Sequence, residues 1–186
     1  MKTTTLLGNL RQEKLKIYIN LSNYLSGNLA EIGVYKGGSA EIIAKNKNEH
    51  KKLFLFDTFE GMPEINENDN HHKKNDFNDT SFEKVKELLE SYKNVFIYKG
   101  IFPQQNSEII KEEKFSLVHL DVDIYESYKN CLEFFYSRLI SGGLLILDDY
   151  NAVTCAGAKL AVDEFFKFKP EKPIWDTFSQ AVIVKI

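Results

Sequence analysis

Leu29-Ala30-Glu31-Ile32-Gly33-Val34-Tyr35-Lys36-Gly37-Gly38-Ser39 reads as a short buried strand that passes through a glycine-rich turn into a helix. Glycine tolerates the backbone angles such a turn needs. Ser39 is of the type that caps a helix, and Ala40–Ala44 continue as helix. A strand, a turn and a helix in that order open a parallel crossover unit. Downstream the alternation repeats. Leu53–Asp57, Asn94–Tyr98, Phe115–Asp121 and Leu144–Asp149 are further apolar strands. Between them Ser81 caps a helix reaching about Ser91, and Pro103 opens another at its first turn. Tyr125, Tyr128, Leu132, Phe135 and Leu139 mark one face of a helix that Gly142-Gly143 stops. Ala158, Ala161, Val162, Phe165 and Phe166 mark the last helix.

Five strands separated by helices predict an α/β fold with a mostly parallel sheet and helices on both faces. Trp175–Phe178 and Ala181–Lys185 lie too close together for a helix between them, so they are expected to form a C-terminal antiparallel hairpin. Upstream, Leu15, Tyr18, Leu21, Tyr24 and Leu25 recur at helical spacing in a helix over Arg11–Leu25 that Ser26-Gly27-Asn28 ends. The first ten residues read as a loose lead-in. The organisation is therefore a helical lead-in over 1–27 and one α/β domain over 28–186.

Composition narrows the function classes. The 24 basic against 27 acidic residues give a net charge of −3, without the basic excess that nucleic-acid binding calls for. Two cysteines, Cys131 and Cys155, are too few for a disulfide scaffold or a cysteine zinc site and suit a reducing cytoplasm. The first residues lack the apolar core of a signal peptide, and no apolar run approaches a membrane span. A cytoplasmic protein is expected, with a small-molecule partner, no nucleic acid and no membrane. A homo-oligomer is left open.

The informative residues sit where strands end, the edge at which open parallel sheets bind ligands. Glu31 and Gly33, Asp57, Gly100, Asp121 and Asp123, and Asp148 and Asp149 all fall there. In the first turn Gly33, Gly37, Gly38 and Ser39 let a ligand approach the backbone and offer free N–H groups. The turn has neither the dinucleotide fingerprint nor the P-loop ending, which argues against a nicotinamide cofactor and ATP. Asp57 is placed to bind two ribose hydroxyls. Four carboxylates on one rim repel unless neutralised, and a hard cation such as Mg²⁺ does this economically. Residues 58–80, rich in Asn, Asp, Lys and His, form a long polar loop suited to a lid.

Ala30–Ala40 resembles the first motif of class I S-adenosylmethionine-dependent methyltransferases, and Phe56–Pro63 the segment after their second strand. With Leu120–Ser127 and Gly142–Tyr150, the pattern over residues 28–186 looks like the macrocin O-methyltransferase family. That resemblance implies a Rossmann-like class I methyltransferase fold with a seven-stranded sheet. It also implies a metal-dependent O-methyltransferase for a sugar hydroxyl. S-adenosylmethionine would have its methionine part along Glu31, Gly33 and Ser39 and its ribose on Asp57. Gly37, Gly38 and Gly100 complete the expected cofactor set. Mg²⁺ would sit on Asp121, Asp148 and Asp149, with Asp123 as catalytic base. The acceptor would be a sugar or nucleotide sugar of bacterial surface-polysaccharide or natural-product biosynthesis. Val122 departs from the Gly the family often has there, and the N-terminal region is short.

Other residues and readings compete. His119 points to the opposite face from the metal acid by strand alternation and reads as structural. Cys155 reads as a spectator, and Tyr125 and Tyr150 either line the pocket or pack. His71-His72-Lys73-Lys74 reads as a solvated stretch of the loop or a contact to a substrate phosphate. The rival functions are a metal-dependent glycosyltransferase using Asp121 and Asp123, and a non-catalytic cofactor-binding protein.

Overall fold

The computed structural model describes residues 5–186. Its centre is one seven-stranded sheet in the order β3-β2-β1-β4-β5-β7-β6. The strands are β1 (Asn28–Ile32), β2 (Leu53–Asp57), β3 (Val95–Lys99), β4 (Phe115–Leu120), β5 (Leu139–Leu147), β6 (Ile174–Thr177) and β7 (Gln180–Val184). The first five are parallel. β7 runs antiparallel to β5 and β6, which forms the terminal hairpin read from the sequence.

The central strands are apolar on both faces because helices cover both. Ala30, Ile32, Phe56, Val118 and Leu120 pack toward α4 (Tyr125–Phe135) and α5 (Ala156–Phe166). Leu29, Leu55, Leu117 and Ile146 pack toward α1 (Asn9–Ser22), α2 (Gly38–Asn46) and α3 (Phe82–Leu89). Register then places the site. Ile32 lies opposite Phe56 and Leu120, and Leu120 opposite Leu147, so β1, β2, β4 and β5 end level with one another. Asp57, Asp121 and Asp148 therefore leave the sheet at one rim. No helix among the described residues is long and apolar enough to cross a membrane.

Local readings shift in four places. Leu139 is the first residue of β5 and not part of α4, which ends at Phe135. Gly142-Gly143 bends β5 where its register on β4 shifts; Gly142 is left-handed at φ 78°, and a side chain at 143 would meet the Ile140 carbonyl oxygen at 2.8 Å. The cap position of α2 is Gly37, left-handed at φ 85°, so Ser39 falls inside the first turn. Pro103 sits among turns that lead into a short 3-10 helix at Ser107–Ile110, where no α-helix forms. Ser81 caps α3 as expected, accepting from Lys84 N–H.

Two charged side chains hold the ends of the chain to the sheet. Lys51 Nζ donates to the carbonyl oxygens of Ser22, Leu25 and Gly27, each at 2.8 Å, and so satisfies carbonyls around the end of α1. The Glu171 carboxylate accepts from Lys185 Nζ at 2.7 Å, Tyr136 OH at 2.8 Å and Ile186 N–H at 3.2 Å, which latches β7 in place. Burial alone would raise the pKa of Glu171, but these donors outweigh it and hold the carboxyl at about 2. A carboxyl depressed on folding stabilises the protein above its unfolded value of ~4.3, and the contribution disappears as pH falls through about 2. Glu171→Gln is expected to cost about 1–2 kcal/mol at neutral pH, toward the low end for charge-assisted bonds because Lys185 is partly exposed. In urea melts the gap between wild type and mutant is expected to close between pH 4 and pH 2. A gap that stays constant with pH contradicts the latch.

Candidate active site

β4 and β5 deliver the acids. Oxygens of Asp121, Asp123 and Asp149 lie within 4.8 Å of one another, near enough to share one ion. All three line a cavity of about 260 Å³ that reaches back to the first turn. Burial, followed by repulsion from neighbouring acids, pushes Asp121 and Asp149 well above the ordinary carboxylate range. Asp123 is also raised, first by burial. It stands in the left-handed region at φ 59°, a conformation Asp tolerates better than most residues, and its N–H donates to Asp149 Oδ2 at 3.0 Å. The buried Tyr128 hydroxyl lies 3.0 Å from the same Asp149 oxygen and 2.9 Å from the Leu120 carbonyl oxygen, so α4 fixes the carboxylate.

Asp148 is held differently. It pairs with Arg11 of α1, and Gln180 of β7 donates to its Oδ1 at 2.7 Å. Its Oδ1 also lies 3.8 Å from His119 Nε2, and His119 Nδ1 is 2.8 Å from Glu31 Oε1. His119 and Glu31 are completely buried. Strand alternation explains the row: Glu31, His119, Asp148 and Gln180 fall on the face of the sheet that α1 and α2 cover. Burial would depress His119, but Asp148 and Glu31 outweigh it and raise the imidazole, favouring the cation. Burial would raise Asp148, but His119 and Arg11 outweigh it and hold the carboxyl low. His119 Nε2 and Glu31 Oε2 have no hydrogen-bond partner among the described residues.

The first turn has its own organiser. Asp57 Oδ2 accepts from Val34 N–H at 2.7 Å and Tyr35 N–H at 2.8 Å, and Oδ1 from Phe59 N–H at 2.7 Å. Tyr35 and Phe59 are left-handed at φ 49° and 52°, so one carboxylate pins two strained residues. Gly33, Gly38, Ser39, Asp57 and Gly100 all line the cavity; Glu31 and Gly37 do not. Gly37 faces Val85 and Leu88 of α3, while Glu31 points to His119. Gly33 has φ 85°, and a side chain there would meet the Asp121 carbonyl oxygen at 1.8 Å. That glycine lets the chain leaving β1 pass close to the chain leaving β4.

Two segments close the cavity from outside the sheet. Thr5, Leu6, Leu7 and Arg11 line it, and a side chain at 38 would meet the Thr5 backbone at 2.4 Å. The expected loose lead-in is therefore a wall, at least from Thr5 onward. In the 58–80 loop, Met62 N–H donates to the Asp76 carbonyl oxygen and Asn75 N–H to the Met62 carbonyl oxygen, and the Phe77 ring meets Tyr35 edge-on at 5.5 Å. Asp69 is buried, and its Oδ1 accepts from Tyr125 N–H at 2.9 Å, capping α4 from another segment. His72 reaches Cys155, whereas Tyr125 and Tyr150 turn outward to Glu164 and Asp163.

Sequence reasoning missed Arg11, Tyr128, Asp69 and Gln180. Arg11, Asp69 and Gln180 reach their partners across long sequence separations with no local pattern to mark them, and Tyr128 reads from its spacing only as part of a packed helix face. Arg11 carried one faint signal, being one of two arginines in the chain. His119 is completely buried, as a structural residue would be, but it also helps to hold the Asp148 carboxyl low.

Comparison with known proteins gives this geometry relatives. The 4′-O-methyltransferase of 8-demethyl-8-(2,3-dimethoxy-α-L-rhamnosyl)-tetracenomycin C from Streptomyces olivaceus is 28% identical over 83% of this chain. The demethyldecarbamoylnovobiocin O-methyltransferase of Streptomyces niveus is 26% identical over 87%. The chain spans 65% and 67% of those two proteins. The solved O-methyltransferase NovP superposes with a TM-score of 0.83 at 25% identity, covering 97% of this chain and 81% of that one. The calicheamicin methyltransferase CalS11, at 19% identity and a TM-score of 0.77, shares the fold over 94% of this chain and 77% of its own. The family model for macrocin-O-methyltransferase matches residues 1–179, from the N-terminal wall through the acids of β4 and β5 to the terminal hairpin, and the chain belongs to that family.

Proposed function

We propose that this protein is an S-adenosylmethionine-dependent, Mg²⁺-assisted O-methyltransferase acting on a sugar hydroxyl. The observation that carries the reading is one cavity joining the glycine-rich turn of β1 to the crowded carboxylates of β4 and β5. Its family membership and the sugar-linked acceptor named for its tetracenomycin relative support the acceptor class. Natural-product or surface-polysaccharide sugars both satisfy it.

The residues fit both absent groups. Ser39 in the first turn of α2, with Gly33 and Gly38, would face the methionine part, and Asp57 and Gly100 the ribose, while Met62, Ile101 and Phe102 offer an apolar wall for a purine ring. Both Asp57 oxygens already hold the turn, so ribose would use their remaining lone pairs. Asp121 and Asp149, raised by burial and then by repulsion from neighbouring acids, are acids that want a cation, and an all-oxygen set suits Mg²⁺. Asp148 would complete the ligand set that the family resemblance implies, and its pairing with Arg11 would then compete with the ion. S-adenosylmethionine supplies an electrophilic sulfonium methyl, and a divalent cation supplies positive charge that favours a hydroxyl oxygen in its ionised form.

The chain's own residues do the rest. Asp123 lines the cavity beside Asp121 and Asp149, where it can take the hydroxyl proton. Tyr128 and Gln180 hold Asp149 and Asp148 in place, which orients the acids before substrate arrives. The Thr5–Arg11 wall and the 58–80 loop exclude water, and the loop acts as a lid. A glycosyltransferase would have no use for the Asp57-braced turn. Calorimetry separates the readings: S-adenosylhomocysteine binds under the methyltransferase reading, a sugar nucleotide alone under the other. Transfer of labelled methyl to a panel of nucleotide sugars then identifies the acceptor.

Asp123→Asn is expected to keep Mg²⁺ binding and lower turnover by about 10²–10⁴-fold, as removal of a general base does. Asp121→Asn and Asp149→Asn are expected to weaken Mg²⁺ binding at least tenfold. Arg11→Gln is expected to tighten it several-fold, because Asp148 is released; unchanged affinity in that variant removes Asp148 from the ligand set. Full turnover of the wild type in EDTA sinks the metal assignment. For the lid, amide exchange over 64–79 is expected to slow when S-adenosylhomocysteine and acceptor are both bound, and equal exchange in the two states rules out closure.

A further inference from the structure

A second donor set lies beside the carboxylates, and the reading above leaves two of its three members unused. His72 belongs to the 58–80 loop, Cys155 stands at the cap position of α5, and Asp123 follows β4. His72 Nε2 is 3.4 Å from Cys155 Sγ, and Cys155 Sγ is 3.5 Å from Asp123 Oδ1. Donor atoms of all three fall within 4.8 Å of one another. The His72 side chain is 10% exposed and Cys155 is buried, so the thiol and the imidazole face inward and not into bulk water.

The chemistry of this set differs from that of the acid cluster. An imidazole, a thiol and one carboxylate suit zinc and similar transition metals, whereas magnesium takes oxygen alone. The spacing agrees as well. With Zn–N near 2.0 Å and Zn–S near 2.3 Å, tetrahedral ligands stand roughly 3.5 Å apart, which is the length of both sulfur edges here. The Asp76 carboxylate lies near the imidazole, its Oδ2 3.9 Å from Nδ1, and is itself fixed by Lys73 N–H at 2.8 Å. Asp123 lines the cavity, so a fourth position has access from that side.

We propose that His72, Asp123 and Cys155 form a binding site for zinc or a related transition-metal ion, distinct from the oxygen site for Mg²⁺. The ion displaces the thiol proton to solvent and binds the thiolate. It joins the loop to α5 and occupies an oxygen of Asp123, which withdraws that acid from its role as base. Inhibition of methyl transfer by zinc follows only if the methyltransferase reading holds; the site itself does not depend on it.

The test uses the full chain, reduced and stripped of metal, titrated with Co²⁺ in excess Mg²⁺ and followed by absorption spectroscopy. A thiolate-to-cobalt charge-transfer band with intense tetrahedral ligand-field bands is expected, reversed by one equivalent of Zn²⁺. Cys155→Ser is expected to abolish the charge-transfer band, His72→Gln to weaken Co²⁺ binding at least tenfold, and Cys131→Ser to leave the spectrum unchanged. No thiolate band in the wild type, or a band that survives Cys155→Ser, overturns the proposal and leaves a hydrogen-bonded packing contact. The wild-type spectrum decides even where a variant fails to fold. Because it needs neither cofactor nor turnover, its failure is distinguishable from failure of the methyltransferase reading.

Discussion

Crowding four carboxylates at a half-buried rim is the constraint around which the rest of this molecule is arranged. Each charge loses water and gains like-charged neighbours, and both effects favour the neutral acid. Three of the four, Asp121, Asp123 and Asp149, show this, with burial the largest cause in each. Asp148 escapes it because a buried imidazole and a guanidinium stand beside it. The rim is therefore split into an acid already balanced by the protein and acids left in want of a cation. This division of charge gives the site its chemical character, and it comes from the environment of each acid since the side chains are alike.

Balancing those charges recruits distant parts of the chain. Arg11 comes from the first helix, Gln180 from the last strand and Tyr128 from the helix after β4. The Lys51 and Glu171 clusters hold the first helix and last strand where these contacts require them. The ends of the chain thus belong to the site as much as the central strands do. The 58–80 loop joins through Asp69, whose carboxylate caps α4, and Gly157 leaves room for it, since a side chain at 157 would meet Asp69 Oδ1 at 2.1 Å.

Backbone strain gathers at the same edge. Tyr35, Phe59 and Asp123 all adopt left-handed angles, and each is held by a carboxylate of the rim or its neighbour, Asp57 or Asp149. Such conformations persist only where the surroundings over-determine them. Here the determining bonds run from backbone N–H groups to carboxylate oxygens of Asp57 and Asp149, so the backbone shape at this edge depends on where those two side chains are held. Asp57 serves in both roles at once, as brace for the turn and as a wall of the cavity.

Local pattern in the sequence was enough for the alternating elements, the parallel sheet, the terminal hairpin and the acids at the strand ends. Apolar runs, glycine turns and strand-end Asp residues are properties of adjacent positions, and the side-chain period of a strand carries them. It misjudged Ser39 as a cap and the end of α4 because the start of α2 and the bend at Gly142-Gly143 depend on backbone angles and strand register. Tertiary structure alone decided that Glu31 faces His119 and not the cavity, that Arg11 neutralises Asp148, and that His72 and Cys155 meet at Asp123. Those are encounters between residues as much as 137 positions apart. They are set by how helices and loops pack over the sheet, and no period within a single segment encodes them.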